Sequence, residues 1–156
     1  MNSPVVHGLA GVALAIGFIK GTSALTLEES AMTNLMGLAS AKTARERFAL
    51  HWADSLWIAS SIYVLFAMRQ EKRSVLMKEV RGVALYAIPA LLGRARAAPG
   101  LAFWAGLGWA LHPLWDLLHH EHEDAKGYVP HWYPMVCITF DIVMSAYLFN
   151  IWREGL

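Results

Sequence analysis

The densest chemistry in the chain lies in one run, His112-Pro113-Leu114-Trp115-Asp116-Leu117-Leu118-His119-His120-Glu121-His122. On a helix turning about 100° per residue, His112, Asp116 and His119 share one face, at i, i+4 and i+7. His120 lies beside that face and His122 points elsewhere. Imidazole nitrogens and a carboxylate oxygen on one face suit a divalent metal, zinc or iron. Pro113 lacks an N–H and frees the carbonyl of Trp109, so a local distortion can re-aim His112. Two other segments carry compatible groups: His51 and Asp54 sit one turn apart, and Asp141 follows His131. His51, His112, Asp116, His119 and His120 are therefore the candidate metal ligands. Asp54 and Asp141 are the candidate catalytic carboxylates, orienting imidazoles or serving as a general base.

Each of these groups also has a plainer reading. A His–Asp pair inside a bundle often just satisfies two buried polar groups and fixes helix register. His120 and His122, with the neighbouring Glu121, Glu123 and Asp124, fit a solvated loop. The same groups would serve ion or proton conduction if Asp141 were accessible from both sides. His7 reads as a structural or surface residue, Cys137 as a packing residue, and Trp104, Trp109 and Trp115 as bundle-interface residues. Several signatures are absent: a phosphate-binding Gly-rich loop, a dinucleotide fingerprint, a Gly-x-Ser-x-Gly elbow and the helical His-Glu-x-x-His of zinc proteases.

The elements that must position these residues follow from composition. Of 156 residues, 56% are hydrophobic and 16% charged, with a mean hydropathy of +0.38. Soluble domains carry about 25% charged residues, so the chain reads as one all-α, integral membrane helical bundle over residues 1–156. A net charge of +1 offers no electrostatic footprint for nucleic acid, and the single Cys137 cannot form an internal disulfide. No basic n-region precedes the first apolar stretch, so no cleavable signal peptide is expected.

Four stretches are apolar enough to cross a bilayer, at about 4–19, 48–68, 99–118 and 132–152. Trp132, Tyr133 and Trp152 bracket the last, where aromatic rings favour the headgroup layer. Residues 82–93 are uncharged but cover only about 18 Å as a helix, short of a ~30 Å hydrocarbon core. Extending that helix backwards would bury Lys78, Glu79 and Arg81, each costing roughly 2.5–3.5 kcal/mol at mid-depth. An interfacial or re-entrant helix is the expectation there, with a fifth span as the alternative. Four spans place eight basic residues on one side and five on the other, whereas five spans divide them six against seven. The larger asymmetry supports four spans with cytoplasmic termini. Thr26-Leu27-Glu28-Glu29 resembles a capping box, and Met32, Leu35, Met36 and Ala39 repeat at helical spacing. A second interfacial helix is therefore expected at about 27–45. In the four-span topology His51, Asp54, His112, Asp116, His119, His120 and His131 converge near the non-cytoplasmic face. In the five-span topology His51 lies at the opposite face from His119.

Gly108-Trp109, Leu111-His112, Trp115-Asp116, His119-His120, Val129-Pro130, Cys137 and Asp141 resemble the carboxy-terminal pattern of an uncharacterised family of small bacterial multi-span proteins with a His-x-x-Trp-Asp-x-x-His-His motif. That resemblance covers about residues 101–149 and implies a compact multi-pass protein of the bacterial inner membrane. Asp116-Leu117-Leu118-His119-His120 is also similar to a histidine box of membrane desaturases and hydroxylases. Those enzymes hold two irons with about eight histidines, and this chain has seven in all, so a single zinc or iron is the simpler expectation. The functional expectation is a metal-dependent enzyme acting on a lipid-like substrate. The alternative is an accessory or assembly subunit of a larger membrane complex, with a structural His/Asp network and partner membrane subunits.

Overall fold

The computed structural model describes residues 3–35, 44–70, 72–95, 98–121 and 127–154; the side chains of 25–35, 44–46, 93, 94, 98, 99, 120 and 121 are outside that description. The fold is all-helical, with no strand among the described residues. Five helices follow in order: α1 (Pro4–Leu35), α2 (Ala44–Ala67), α3 (Arg73–Arg94), α4 (Ala98–Glu121) and α5 (Tyr133–Arg153). Proline stands at Pro4 and Pro134, in the first turns of α1 and α5, where a missing N–H costs no intrahelical bond.

Two expectations about connecting segments change. Residues 27–35 belong to α1, which runs unbroken through Thr26–Glu29; residues 36–43 lie outside the described residues, and 44–45 open α2. The segment 82–93 is the second half of the 22-residue α3, which packs against both α2 and α4. Its charged first half was expected to resist burial. Glu79 is nevertheless buried, and it is paired, which removes most of the cost of burying it.

Contacts between named residues fix the helix directions. Trp109 Nε1 donates to the carbonyl of Trp52 at 2.9 Å, and Tyr63 near the end of α2 donates to Asp116 near the end of α4 at 2.6 Å. Thus α2 and α4 run parallel. Between them α3 runs the other way, with Glu79 level with His119 and Tyr86 level with Leu111. On α5, Asp141 meets His112 and Ser145 meets Gly106, so α5 is antiparallel to α4. Gly8 and Gly11 of α1 lie against Thr139 and Val136, and Phe18 meets both Trp52 and Phe140. That aligns α1 with α5. The helices therefore alternate in direction, and Pro4 and Arg153 sit at opposite ends of the bundle.

The core is aromatic and aliphatic: Trp52, Leu56, Trp109, Met144 and Leu148 interlock across α2, α4 and α5. Gly11 lets α1 approach the α5 backbone, since a methyl group there would collide with Val136 and Thr139. Large apolar side chains also cover the outside, among them Leu9, Ile58, Leu65, Leu85, Leu114 and Ile142. Two segments, Pro4–Ala24 and Tyr133–Arg153, are long and apolar enough to cross a membrane. The first half of α2 carries charge at Arg45, Glu46, Arg47 and Asp54, and α4 is interrupted by His112, Pro113 and Asp116.

Candidate metal centre

Three of the expected residues come together in the middle of the bundle. His112 and Asp116 project from successive turns of α4, and Asp141 faces them from α5; their exposures are 1%, 0% and 2%. His112 Nδ1 lies 2.8 Å from Asp141 Oδ2 and 3.3 Å from Asp116 Oδ2. The Tyr63 hydroxyl donates to Asp116 Oδ1 at 2.6 Å. The Tyr86 ring packs edge-on to His112, with centroids 4.9 Å apart.

This arrangement is incompletely satisfied. His112 Nε2 and Asp116 Oδ2 are buried without hydrogen-bond partners. One imidazole balances at most one negative charge, so two ionised carboxylates beside it need a further proton or a cation. One ligand atom from each of His112, Asp116 and Asp141 lies within 4.8 Å of the others. Bonds of about 2.0–2.2 Å in a tetrahedral site place ligand atoms about 3.3–3.6 Å apart. Small side-chain shifts would bring the three groups to that spacing, so the residues present can hold a divalent ion. Tyr63 then orients one carboxylate from outside, as partners of metal ligands commonly do.

His119, expected as the third ligand on this face of α4, is used differently. Its Nδ1 donates to the carbonyl of Trp115 at 2.8 Å, and its Nε2 lies 2.8 Å from Glu79 Oε1. Because Nδ1 must carry a proton, exactly one more proton is shared between Nε2 and Glu79. Tyr128 also donates to Glu79 Oε1 at 2.8 Å, and Trp115 Nε1 reaches Oε2 at 3.3 Å. Tyr63 and Trp115 pack, tilted, against the His119 ring, with centroids 4.3 and 5.1 Å away. Both nitrogens of His119 are therefore engaged, and it faces α3 rather than α5.

The other expected residues lie elsewhere. Because α2 and α4 are parallel, His51 and Asp54 sit toward the end of the bundle opposite His119. Both are exposed, with the His51 ring against Trp52 at 5.6 Å. The convergence expected from four spans required α2 and α4 to be antiparallel, and it does not occur. His131 is exposed ahead of α5. His120 lies in α4, and its side chain is outside the described residues.

Glu79, Tyr63, Tyr86 and Tyr128 were missed as site residues. Periodicity pointed to three of them. Leu56, Ser60, Tyr63 and Ala67 form a buried stripe on α2, and Glu79, Gly82, Tyr86 and Pro89 form one on α3. Extending those stripes through the polar positions would have placed Tyr63, Glu79 and Tyr86 inside. No family model, curated protein or solved structure matches the chain.

Proposed function

We propose that the chain is a multi-pass helical protein of a bacterial inner membrane that binds one divalent metal, zinc or iron, through His112, Asp116 and Asp141. In this reading it acts as a metal-dependent enzyme on a lipid-like substrate. The observation that carries the proposal is the meeting of an imidazole and two carboxylates able to ligate a metal inside the bundle, with one carboxylate oxygen unpartnered. Ionisable groups in such a setting are costly and raise a functional reading by default.

The distribution of polarity favours a bilayer as the surrounding medium. Ile58, Leu65 and Val5 are 69%, 60% and 68% exposed, whereas Glu79, His112, Asp116, His119 and Asp141 are all buried. Helices of 21–32 residues are long enough for a hydrocarbon core of about 30 Å. All five cross in this reading, with the charged first turns of α3 reaching toward the interface. A metal held by His112, Asp116 and Asp141 would supply a Lewis acid for a substrate oxygen or for water. His112 Nδ1 bonds Asp141 and lies 3.3 Å from the unpartnered oxygen of Asp116, while Tyr63 fixes the orientation of Asp116.

The rival reading, an accessory subunit of a membrane complex with a structural polar network, draws on the saturated Glu79–His119 pair. Elemental analysis of detergent-purified protein separates the two. The enzyme reading expects near-stoichiometric metal in the wild type, lost in His112→Ala and Asp141→Asn while helical content is kept. A folded wild type that stays metal-free after reconstitution with Zn²⁺ and Fe²⁺ would sink it.

A further inference from the structure

His112, Asp116 and Asp141 are all buried, so an ion from the aqueous phase reaches them only where packing opens. Distance and polarity decide where that is. From Asp116 to the end of α4 at Glu121 is five residues, about 8 Å of helix, whereas from His112 back to Ala98 is fourteen, about 21 Å. On α5, Asp141 stands eight residues from Tyr133, at the same near end. The long way is filled by Trp52, Leu56, Trp109, Met144 and Leu148. The short way carries polar side chains: the Tyr63 hydroxyl on Asp116, then the Glu79–His119 pair and the Tyr128 hydroxyl. A cation that sheds its water needs oxygen or nitrogen partners at each step, so the apolar way costs it far more than the polar one.

Residues 127–132 lie across the short way, as a non-helical strap that leads into α5. Its fastenings are side chains. Tyr128 donates to Glu79 Oε1 at 2.8 Å, Gln70 Nε2 donates to the Gly127 carbonyl at 3.3 Å, and Val129 is buried beside Tyr63. Beneath the strap, Tyr133 packs on Tyr63 and Phe66, with centroids 5.5 and 5.2 Å away. Gly127, His131 and Trp132 are exposed. Lifting the strap therefore uncovers little apolar surface, whereas parting two helices breaks the main core.

We propose that residues 127–132 are the gate through which a divalent cation from the aqueous phase reaches His112, Asp116 and Asp141, with the Tyr128–Glu79 hydrogen bond as its latch. The proposal rests on the metal reading above and adds the route of loading. When the latch parts, Glu79 keeps His119 and Trp115 as partners. The pair that ties α3 to α4 thus survives the opening.

Stopped-flow loading of the metal-free full chain with saturating Co²⁺ in detergent, and its release to excess EDTA, test the gate. Tyr128→Phe removes the latch and keeps the ring. The strap is fastened alike in the empty and the loaded protein. Loading and release should therefore both quicken by about tenfold, equivalent to a hydrogen bond of about 1.4 kcal/mol, with the equilibrium affinity unchanged. Val129→Ala loosens the strap through a different contact and should also quicken both. Met144→Ala loosens the apolar core on the other side of the group and should change neither rate. Wild-type rates in the strap variants, or rates quickened as much by Met144→Ala, would overturn the gate and leave the metal centre standing. A wild type that binds no Co²⁺ would overturn the metal reading and the gate together.

Discussion

Two histidines on one helix, seven residues apart, stand in opposite situations. His119 has both nitrogens engaged, and its partner carboxylate accepts from Tyr128 and Trp115 as well. His112 faces two carboxylates through one nitrogen and leaves the other without a partner. Residue type does not distinguish them; saturation does. A closed set of hydrogen bonds holds α3 to α4, and adding a ligand there would break bonds already made. An open set has capacity left, and taking up a cation completes its charge balance. The contrast sets a closed His119 pair, which ties α3 to α4, against an open His112 group, where the proposed metal would be held.

The contrast can be broken most severely at Glu79. Glu79→Ala leaves the His119 imidazole buried without its partner, and removing one member of a buried pair typically costs about 3–5 kcal/mol. Thermal unfolding in detergent reads this, and Glu79→Leu combined with His119→Leu should recover most of the loss. An unchanged melting temperature for Glu79→Ala would mean that the pair holds nothing together. Tyr63→Phe sharpens the other side. It removes the hydroxyl that orients Asp116 and should lower metal affinity by about 10–100-fold, with a small effect on unfolding. Metal affinity identical to wild type would remove Tyr63 from the centre.

Gly82→Ala probes the boundary between the two groups. The new methyl group displaces Trp115, which bonds Glu79 and packs against His119, so a destabilisation of about 1–3 kcal/mol is expected. The smallest effects belong to His51→Ala and Asp54→Asn, on exposed positions toward the far end of the bundle. Their unfolding should stay within about 0.5 kcal/mol of wild type, with unchanged metal content. Loss of metal in either would restore the single convergent site expected from four spans.

The all-helical class and the spacing of His112 and Asp116 were legible in the sequence, because both depend on local periodicity. Asp141 was singled out as well, since a carboxylate in the middle of an apolar stretch is conspicuous. The direction of α2 was not legible. Two helices of similar hydropathy and a charged linker fit parallel and antiparallel arrangements equally well, and only contacts such as Trp109 with Trp52 decide. Glu79 was obscured by the rule that exposed the other residues. Its charge was taken as a reason to end a helix, although a buried partner forty residues away makes its burial tolerable. A cost assigned to an isolated charge cannot be transferred to a paired one. The ligand role expected of His119 failed for the same reason: its position on the face was right, but its partner comes from a helix that was expected to be shorter.

The alternation of five helices also bears on orientation in the cell. In the proposed membrane reading, with Pro4 and Arg153 at opposite ends, reporters fused to the two termini would face different compartments. The basic residues divide six against seven between the two sides of such a bundle, which gives the insertion machinery almost no preference. One or two lysines engineered at one end would then be enough to turn the whole molecule over.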